Sequence, residues 1–118
     1  MITDNAKLQM RKGVLELCVL AIIAEHEDVY PSDIKKGLES TGMDIVEGTL
    51  YPLLMRLKNT GYLTYTWKES ETGPPRKYYK LTDTGFEYLQ QLKTDWKEFT
   101  QSVNNVIQYQ PLTSKINN

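Results

Sequence analysis

Positively charged side chains are the residues of this chain whose type and spacing best suit binding chemistry. Six of them lie between residues 56 and 80 beside only two carboxylates, so this segment has a net charge of +4. The rest of the chain holds eight cations and thirteen carboxylates, and the whole has a net charge of −1. A basic surface on an otherwise acidic molecule can attract a polyanion such as nucleic acid. It can also be a solvated surface with no partner, and charge alone does not decide between the two.

Residues for catalysis are scarce. The chain has one histidine, His26, and one cysteine, Cys18, in segments that are not expected to meet. No Ser-His-Asp or Cys-His arrangement can be built without His26, and no Gly-rich phosphate-binding motif occurs. Glu25, Glu27 and Asp28 flank His26, but neighbouring helical residues point in different directions and do not converge on a metal. We therefore expect a protein that is not an enzyme, with no cofactor and no metal site.

The composition is that of one ordinary globular domain. The 118 residues are 40% hydrophobic and 25% charged. The longest apolar run, over residues 17–24, is far shorter than the roughly 20 residues that cross a bilayer. The chain does not open with the pattern of a secretory signal, and a single cysteine forms no internal disulfide. We expect a cytoplasmic protein with no membrane partner.

Three helices are predicted before residue 61. Apolar residues at three- and four-residue steps predict a first helix over residues 6–25, and its second half is apolar nearly all round, which is typical of a buried helix. Pro31 suits the first turn of a second helix, which Gly42 ends. A third helix is predicted over residues 47–60 and ends at Gly61. One face of it carries four leucines, Leu50, Leu53, Leu54 and Leu57. The second and third helices have helix-turn-helix spacing.

A β-hairpin is predicted after the third helix. Aromatic and β-branched residues alternate with polar ones over residues 62–68, which predicts a strand with one buried face. Residues 69–75 have the composition of a turn, and residues 76–81 form the returning strand. Two prolines are expected to stiffen a long loop whose tip presents Arg76 and Lys77. The side chains predicted on the buried face are Leu63, Tyr65 and Trp67.

A last helix begins after Thr82, whose side chain can cap it. Its apolar residues recur at steps of three and four, which is the pattern of a heptad seam. A chain this short offers little other surface to bury a Trp and a Phe, so we expect the seam to be a dimer interface. The alternative is a helix packed on its own domain. The residues predicted in the interface are Leu89, Leu92, Trp96, Phe99, Val103 and Val106.

The order of these elements predicts a fold that is mainly α with a small β-hairpin, a winged helix-turn-helix plus a C-terminal dimerisation helix. A winged helix-turn-helix DNA-binding domain with its N-terminal helix is expected over residues 1–81, with residues 1–5 frayed. The dimerisation helix is expected over residues 82–110, followed by a disordered tail over residues 111–118.

A helix-turn-helix protein reads DNA by placing one helix in the major groove. The side chains that the third helix would expose opposite its leucines include Thr49, Tyr51, Pro52 and Arg56. Hydroxyl groups can donate to phosphate oxygens, whereas Arg56 can bind either a guanine edge or a phosphate. The hairpin would add Pro75, Arg76 and Lys77 against the DNA backbone or the minor groove.

Two motifs give the chain a resemblance to a known family. They are the run EGTLYPLLMRLKNTGYL and, after Trp67, the run GPPRKYYKLTDTG. Together they look like the PadR family of bacterial transcriptional regulators, over about residues 15–85. The resemblance implies a homodimeric winged-helix repressor that binds palindromic operator DNA and dimerises through its C-terminal helix. It also implies a recognition helix with Thr49, Tyr51, Pro52 and Arg56, and a wing with Pro75, Arg76 and Lys77.

The resemblance also bears on Trp96. This residue falls in the region where some members of the family bind flat aromatic compounds across the two-fold axis. It is therefore a candidate ligand-binding residue for a small aromatic effector that would release the DNA. The alternative is that Trp96 is only a residue of the seam, since aromatic residues at helical spacing are usually core.

We therefore expect a sequence-specific DNA-binding transcriptional regulator, a repressor, that acts as a homodimer on double-stranded operator DNA. A second hypothesis comes from another class of protein. A winged helix can serve as a protein–protein interaction module without a DNA target, and the net negative charge of the chain favours that alternative.

Overall fold

The computed structural model describes residues 2–109 of the chain. Their elements follow in the order α1 (Ile2–Lys12), α2 (Leu15–Ala24), α3 (Pro31–Ser40), α4 (Glu47–Asn59), β1 (Leu63–Ser70), β2 (Gly73–Leu81) and α5 (Asp83–Ile107). This is the predicted winged helix-turn-helix with a long C-terminal helix. The tail predicted over residues 111–118 lies outside the described residues. None of the helices within residues 2–109 combines the length and the apolar character that spanning a membrane requires.

The first helical segment is broken in two, so the prediction of one helix over residues 6–25 was wrong. Gly13 and Val14 form a turn between α1 and α2, and Val14 takes a φ of −117°. A glycine inside a helix costs about 1 kcal/mol relative to alanine, which weakens the helix at this point. α1 begins at Ile2, so the start of the chain that was expected to be frayed is helical from this residue onward.

The core lies between α2, α3, α4, the first part of α5 and the part of the hairpin nearest to them. The apolar helix α2 is central, as predicted, with Val19, Leu20 and Ile23 buried. All four leucines of the predicted apolar face of α4 are buried as well. Each fully buried leucine contributes roughly 1.5–3 kcal/mol relative to an exposed one, so this face fixes the rotation of α4 about its axis.

The two helices of the helix-turn-helix end where the sequence predicts. Gly42 follows α3 and Gly61 follows α4, and both have a φ of +90°. This left-handed conformation is one that residues with a Cβ rarely adopt, so the two glycines stop the helices. α3 begins at Pro31, also as predicted.

The hairpin β1–β2, which we call the wing, is longer and more tightly closed than predicted. β1 continues to Ser70 and β2 begins at Gly73, which leaves only Glu71 and Thr72 for the turn. The register shifts between Lys68 and Ser70, and such a bulge absorbs one extra residue while pairing continues. The long loop predicted over residues 69–75 is therefore wrong.

The paired wing changes where its cations lie. Arg76 pairs with Lys68, and Lys77 pairs with Trp67. The prediction that these two cations lie at the tip of the wing is therefore wrong. Of the predicted buried face, Leu63 is buried and Tyr65 half-buried, but Trp67 is 61% exposed, so its predicted burial is wrong.

The start of α5 closes the domain. The hydroxyl oxygen of Thr82 accepts a hydrogen bond from the Gly85 N–H at 2.9 Å, which confirms the predicted cap. The same hydroxyl donates to the carbonyl oxygen of Gly61 at 2.6 Å. Tyr88 stacks on Tyr62 with ring centroids 4.0 Å apart. These contacts fix the direction in which α5 leaves the winged domain.

Candidate nucleic-acid interface

One stripe of α4 faces the wing. Tyr51, Met55 and Lys58 follow at steps of four and three residues, which places them on one side of a helix, and all three are exposed. Thr49 and Pro52 are also exposed on α4. The buried leucines cover the opposite side of the helix, so α4 presents a polar and aromatic surface outward.

The stripe and the wing enclose an open cleft of about 620 Å³. Aromatic rings dominate its walls, and the loop before α3 contributes one of them. Of the predicted DNA-contacting residues, Tyr51, Pro75, Arg76 and Lys77 line this cleft. The other lining residues are Tyr30, Pro31, Met55, Lys58, Asn59, Tyr65, Trp67, Pro74 and Tyr79.

The cleft is cationic. It is lined by Lys58, Arg76 and Lys77, and none of its described lining residues is a carboxylate. The cationic side chains lie over aromatic rings instead. The guanidinium of Arg76 is 4.7 Å from the centre of the Tyr30 ring. The Nζ atom of Lys77 is 4.5 Å from the centre of the Tyr65 ring.

Tyr51 is a hydrogen-bond donor of this cleft. Partial burial raises the pKa of its phenol, with smaller contributions from Glu47 and Tyr30. The hydroxyl is therefore protonated over the whole physiological range and can donate to a phosphate oxygen.

Arg56 lies away from the cleft. At about 100° per residue it is rotated by about 140° from Tyr51 around α4. Its Nη1 atom donates to the Glu16 carboxylate on α2 at 2.9 Å, and its side chain is 57% exposed. The other carboxylate oxygen of Glu16 accepts a hydrogen bond from the Tyr88 hydroxyl at 2.8 Å. Arg56 thus joins α4 to α2, whereas Tyr51 faces the wing.

The other nine lining residues of the cleft were not predicted to contact DNA, and Lys58, Trp67 and Tyr30 are the most informative of them. Lys58 could have been found, since it lies seven residues after Tyr51 on the same stripe of α4. Trp67 was assigned to a buried face. Tyr30 reaches the cleft because its neighbour Val29 forms a bridge with Tyr79, an arrangement that no local pattern indicates.

His26 and Cys18, the two residues considered for catalysis, lie beside and within α2. The Nδ1 atom of His26 donates to the carbonyl oxygen of Ile22 at 2.9 Å, next to the end of α2. Burial raises the pKa of the half-buried Cys18 thiol. Residues 2–109 contain no group of three or more His, Cys, Asp or Glu side chains that could hold a metal ion.

The predicted seam of α5 is divided between two environments. Leu89 is completely buried in the core of its own chain, and Leu92 is partly buried against that core. Leu89 is therefore not available to a partner, and its place in the predicted interface is corrected. The apolar side chains that remain exposed on α5 beyond Leu92, which we call the exposed stripe, are Trp96, Phe99, Val103, Val106 and Ile107.

Comparison with known proteins identifies this arrangement. The family model described as the transcriptional regulator PadR-like family matches residues 19–91, which include α3, α4 and the whole wing. The chain belongs to the PadR-like family. This family consists of transcriptional regulators, not of enzymes, and its members bind DNA and are typically dimeric.

Solved structures of other PadR-like proteins resemble the chain over most of its length. A PadR-like transcription factor from Bacteroides fragilis is 51% identical, with 86% of this chain and 98% of that chain covered and a TM-score of 0.71. A PadR family transcriptional regulator from Eggerthella lenta is 31% identical, with 92% and 95% covered and a TM-score of 0.85. A PadR-like transcriptional regulator from Bacillus cereus is 42% identical, with 86% and 99% covered and a TM-score of 0.75.

Proposed function

We propose that this PadR-like regulator is a repressor that binds palindromic operator DNA as a homodimer. α4 lies in the major groove, and the cleft between α4 and the wing receives the sugar–phosphate backbone beside that groove. A dimer bound to an operator that overlaps a promoter blocks transcription by occupying it. Because the target is DNA, we place the protein in the cytoplasm.

The observation that carries this proposal is the charge of the cleft. Lys58, Arg76 and Lys77 line it, and none of its described lining residues is a carboxylate. The chain as a whole is acidic, with a net charge of −1, so the charge of the cleft is opposite in sign to that of the whole molecule. A cationic concave surface beside an exposed helix attracts a polyanion and orients it along that helix.

Two chains would associate through the exposed stripe of α5. Trp96 is 43% and Phe99 62% exposed, and apolar residues continue along the helix as far as Ile107. A contiguous apolar surface of this kind is typical of a protein–protein interface. Such a dimer would read two half-sites with its two recognition helices about 34–36 Å apart, which is one turn of B-DNA.

Trp96 is also the proposed site of a small aromatic effector. It lies beside a shallow groove lined by Val14, Leu17 and Leu92, with the Phe99 ring centre 6.4 Å from its own. A planar aromatic compound stacked between the two Trp96 rings of a dimer would bind at the interface that spaces the recognition helices. Its binding would then change the affinity for DNA.

Binding to duplex DNA over a range of salt concentrations tests the function. We expect the logarithm of the association constant to fall linearly with the logarithm of the salt concentration, because phosphate contacts release condensed counterions. Fluorescence anisotropy of a labelled duplex measures this slope. If the protein were instead a protein–protein interaction module, it would bind no duplex at any salt concentration, and that result would contradict the proposal.

A further inference from the structure

We infer that aromatic rings of this protein position the wing cations for DNA: Tyr30 holds Arg76, and Tyr65 with Trp67 holds Lys77. Arg76 and Lys77 are neighbours on β2, so their side chains leave opposite faces of the strand. Each nevertheless meets an aromatic ring at a short distance. This inference rests on the proposed function, because the positioned cations matter only if the cleft binds a polyanion.

The Tyr30 ring is a rigid support for Arg76. Val29 and Tyr79 exchange two backbone hydrogen bonds, of 2.9 and 2.8 Å, which tie the chain before α3 to the edge of β2. The Tyr30 ring also packs against the Tyr78 ring with centroids 5.7 Å apart. The guanidinium of Arg76 lies 4.7 Å from the centre of the Tyr30 ring, well within the range of a cation–π contact.

Trp67 and Tyr65 hold Lys77 on the other face of the wing. Trp67 pairs with Lys77 across the hairpin, and the Nζ atom of Lys77 is 5.3 Å from the centre of the Trp67 ring and 4.5 Å from that of Tyr65. Trp67 is 61% exposed, so burial in the core does not explain an indole at this position. Its place beside the ammonium group does explain it.

The cleft cations differ from the two described cations that form salt bridges. Arg56 and Lys68, neither of which lines the cleft, are paired with carboxylates at 2.9 and 2.7 Å, and Lys68 also lies 4.8 Å from the centre of the Tyr78 ring. Within residues 2–109, none of the cleft cations Lys58, Arg76 and Lys77 has a carboxylate within salt-bridge distance. A carboxylate would position a cation but also cancel its charge toward a phosphate. An aromatic ring positions the cation and leaves the charge uncancelled.

Positioning before binding increases affinity because less side-chain freedom is lost when DNA arrives. A guanidinium lying on a ring keeps the N–H donors of its edge free for phosphate oxygens. Ordering one long side chain costs an amount equivalent to about 2- to 10-fold in affinity. A dimer carries each pair of ring and cation twice. The factor by which affinity for a full operator falls is therefore the square of the factor for one site.

A double-mutant cycle separates positioning from direct contact. We expect Tyr30→Leu to weaken duplex binding by about 2- to 10-fold per site, and Tyr30→Phe, which keeps the ring, to weaken it less. In an Arg76→Ala background, Tyr30→Leu should have no further effect. Equal losses with and without Arg76 would show that the ring itself contacts DNA, and unchanged or tighter binding would show that it does not assist. Either result overturns the inference.

The contact between Trp67 and Lys77 provides a second test. Because Trp67 is exposed, we do not expect its substitution to unfold the protein. Trp67→Leu should weaken binding, Trp67→Phe should restore it, and neither should matter in a Lys77→Ala background. Binding that is equally weak in Trp67→Phe and Trp67→Leu would contradict a role for the ring face.

A measurement without DNA tests the contact between ring and cation independently of the proposed function. In the free protein, the ring current of Tyr30 should shift the side-chain proton resonances of Arg76 upfield. The shift should disappear in Tyr30→Leu and persist in Tyr30→Phe. An absent shift in the unchanged protein overturns the inference, whatever the protein binds. If the shift is present but Arg76→Ala and Lys77→Ala leave duplex binding unaffected, the proposed wing contact fails, and the inferred role in DNA binding fails with it.

Discussion

The guanidinium of Arg56 on α4 lies 2.9 Å from the carboxylate of Glu16 on α2. Tyr88 of α5 donates to the other oxygen of the same carboxylate at 2.8 Å. One carboxylate therefore joins the proposed recognition helix, the central buried helix and the helix proposed to form the dimer.

Arg56→Ala tests whether this arginine reads a base. Because Arg56 is rotated away from the cleft and bound to Glu16, we expect the loss of DNA affinity to be small and equal for all sequences. We expect the free energy of unfolding to fall by less than about 1 kcal/mol, as for other largely exposed ion pairs. Selection of binding sites from random duplexes by the variant checks the first point. A changed base preference at one position would assign Arg56 to direct readout.

Tyr88 is expected to titrate at unusually high pH. Burial and the hydrogen bond to Glu16 raise its pKa to about 12 from an ordinary 10.0. The unfolded chain then loses this proton before the folded one, so stability is unaffected below pH 10 and falls as the pH rises from 10 to 12. NMR titration of ring-labelled tyrosine measures the pKa. Glu16→Gln should lower it, and a Tyr88 pKa near 10 in the unchanged protein would rule out the hydrogen bond.

The wing cations are expected to contribute phosphate contacts. Arg76→Ala and Lys77→Ala should each weaken binding to every duplex and reduce the salt slope by about 1 for each lost phosphate contact, or about 2 in a dimer. Lys80→Ala is the matched control, since Lys80 is exposed on the same strand but does not line the cleft. An unchanged slope in both cleft variants would remove the wing from the interface.

Gly85 is expected to be important for stability, and Gly48 is not. A Cβ atom on Gly85 would press directly against the backbone carbonyl oxygen of Tyr62, which cannot move as a side chain can. Gly85→Ala should lower the free energy of unfolding by about 1–3 kcal/mol or more. Around a Cβ on Gly48 nothing lies within 4 Å, so Gly48→Ala should be neutral or slightly stabilising. Denaturant unfolding at one protein concentration compares the two, and equal stabilities would contradict this packing.

The exposed stripe of α5 is expected to hold the dimer together. Phe99 is 62% exposed, so a charge at this position costs the isolated chain little but would be buried in a dimer. Phe99→Asp should therefore give a folded monomer in sedimentation experiments. Gln101→Asp, which adds the same charge at an exposed position on the other side of this helix, is the control. An unchanged protein that remains monomeric at high micromolar concentration would contradict the proposed dimer.

Much of the fold follows from local sequence features. The leucine face of α4, the stops at Gly42 and Gly61 and the cap at Thr82 each depend on neighbouring residues, and the structure confirms them all. The break at Gly13 was missed because apolar residues recur at helical spacing on both sides of it. The spacing of apolar residues does not reveal a single residue that weakens the helix.

The site was only partly predictable. Tyr51, Arg76 and Lys77 could be chosen from the sequence because their own elements expose them. The contact of Arg56 with Glu16 joins residues forty positions apart in the sequence, and Arg76 meets Tyr30 through packing of the wing against the chain before α3. Contacts of this kind arise from the tertiary arrangement, which no local pattern encodes.

Selection of binding sites from a random library of duplex DNA tests the central claim most directly, that two copies present paired helices and wings to successive grooves. We predict enrichment of an inverted repeat whose half-site centres lie about 34–36 Å, or one helical turn, apart. Enrichment of a single unrepeated half-site, or of no sequence at all, would contradict it.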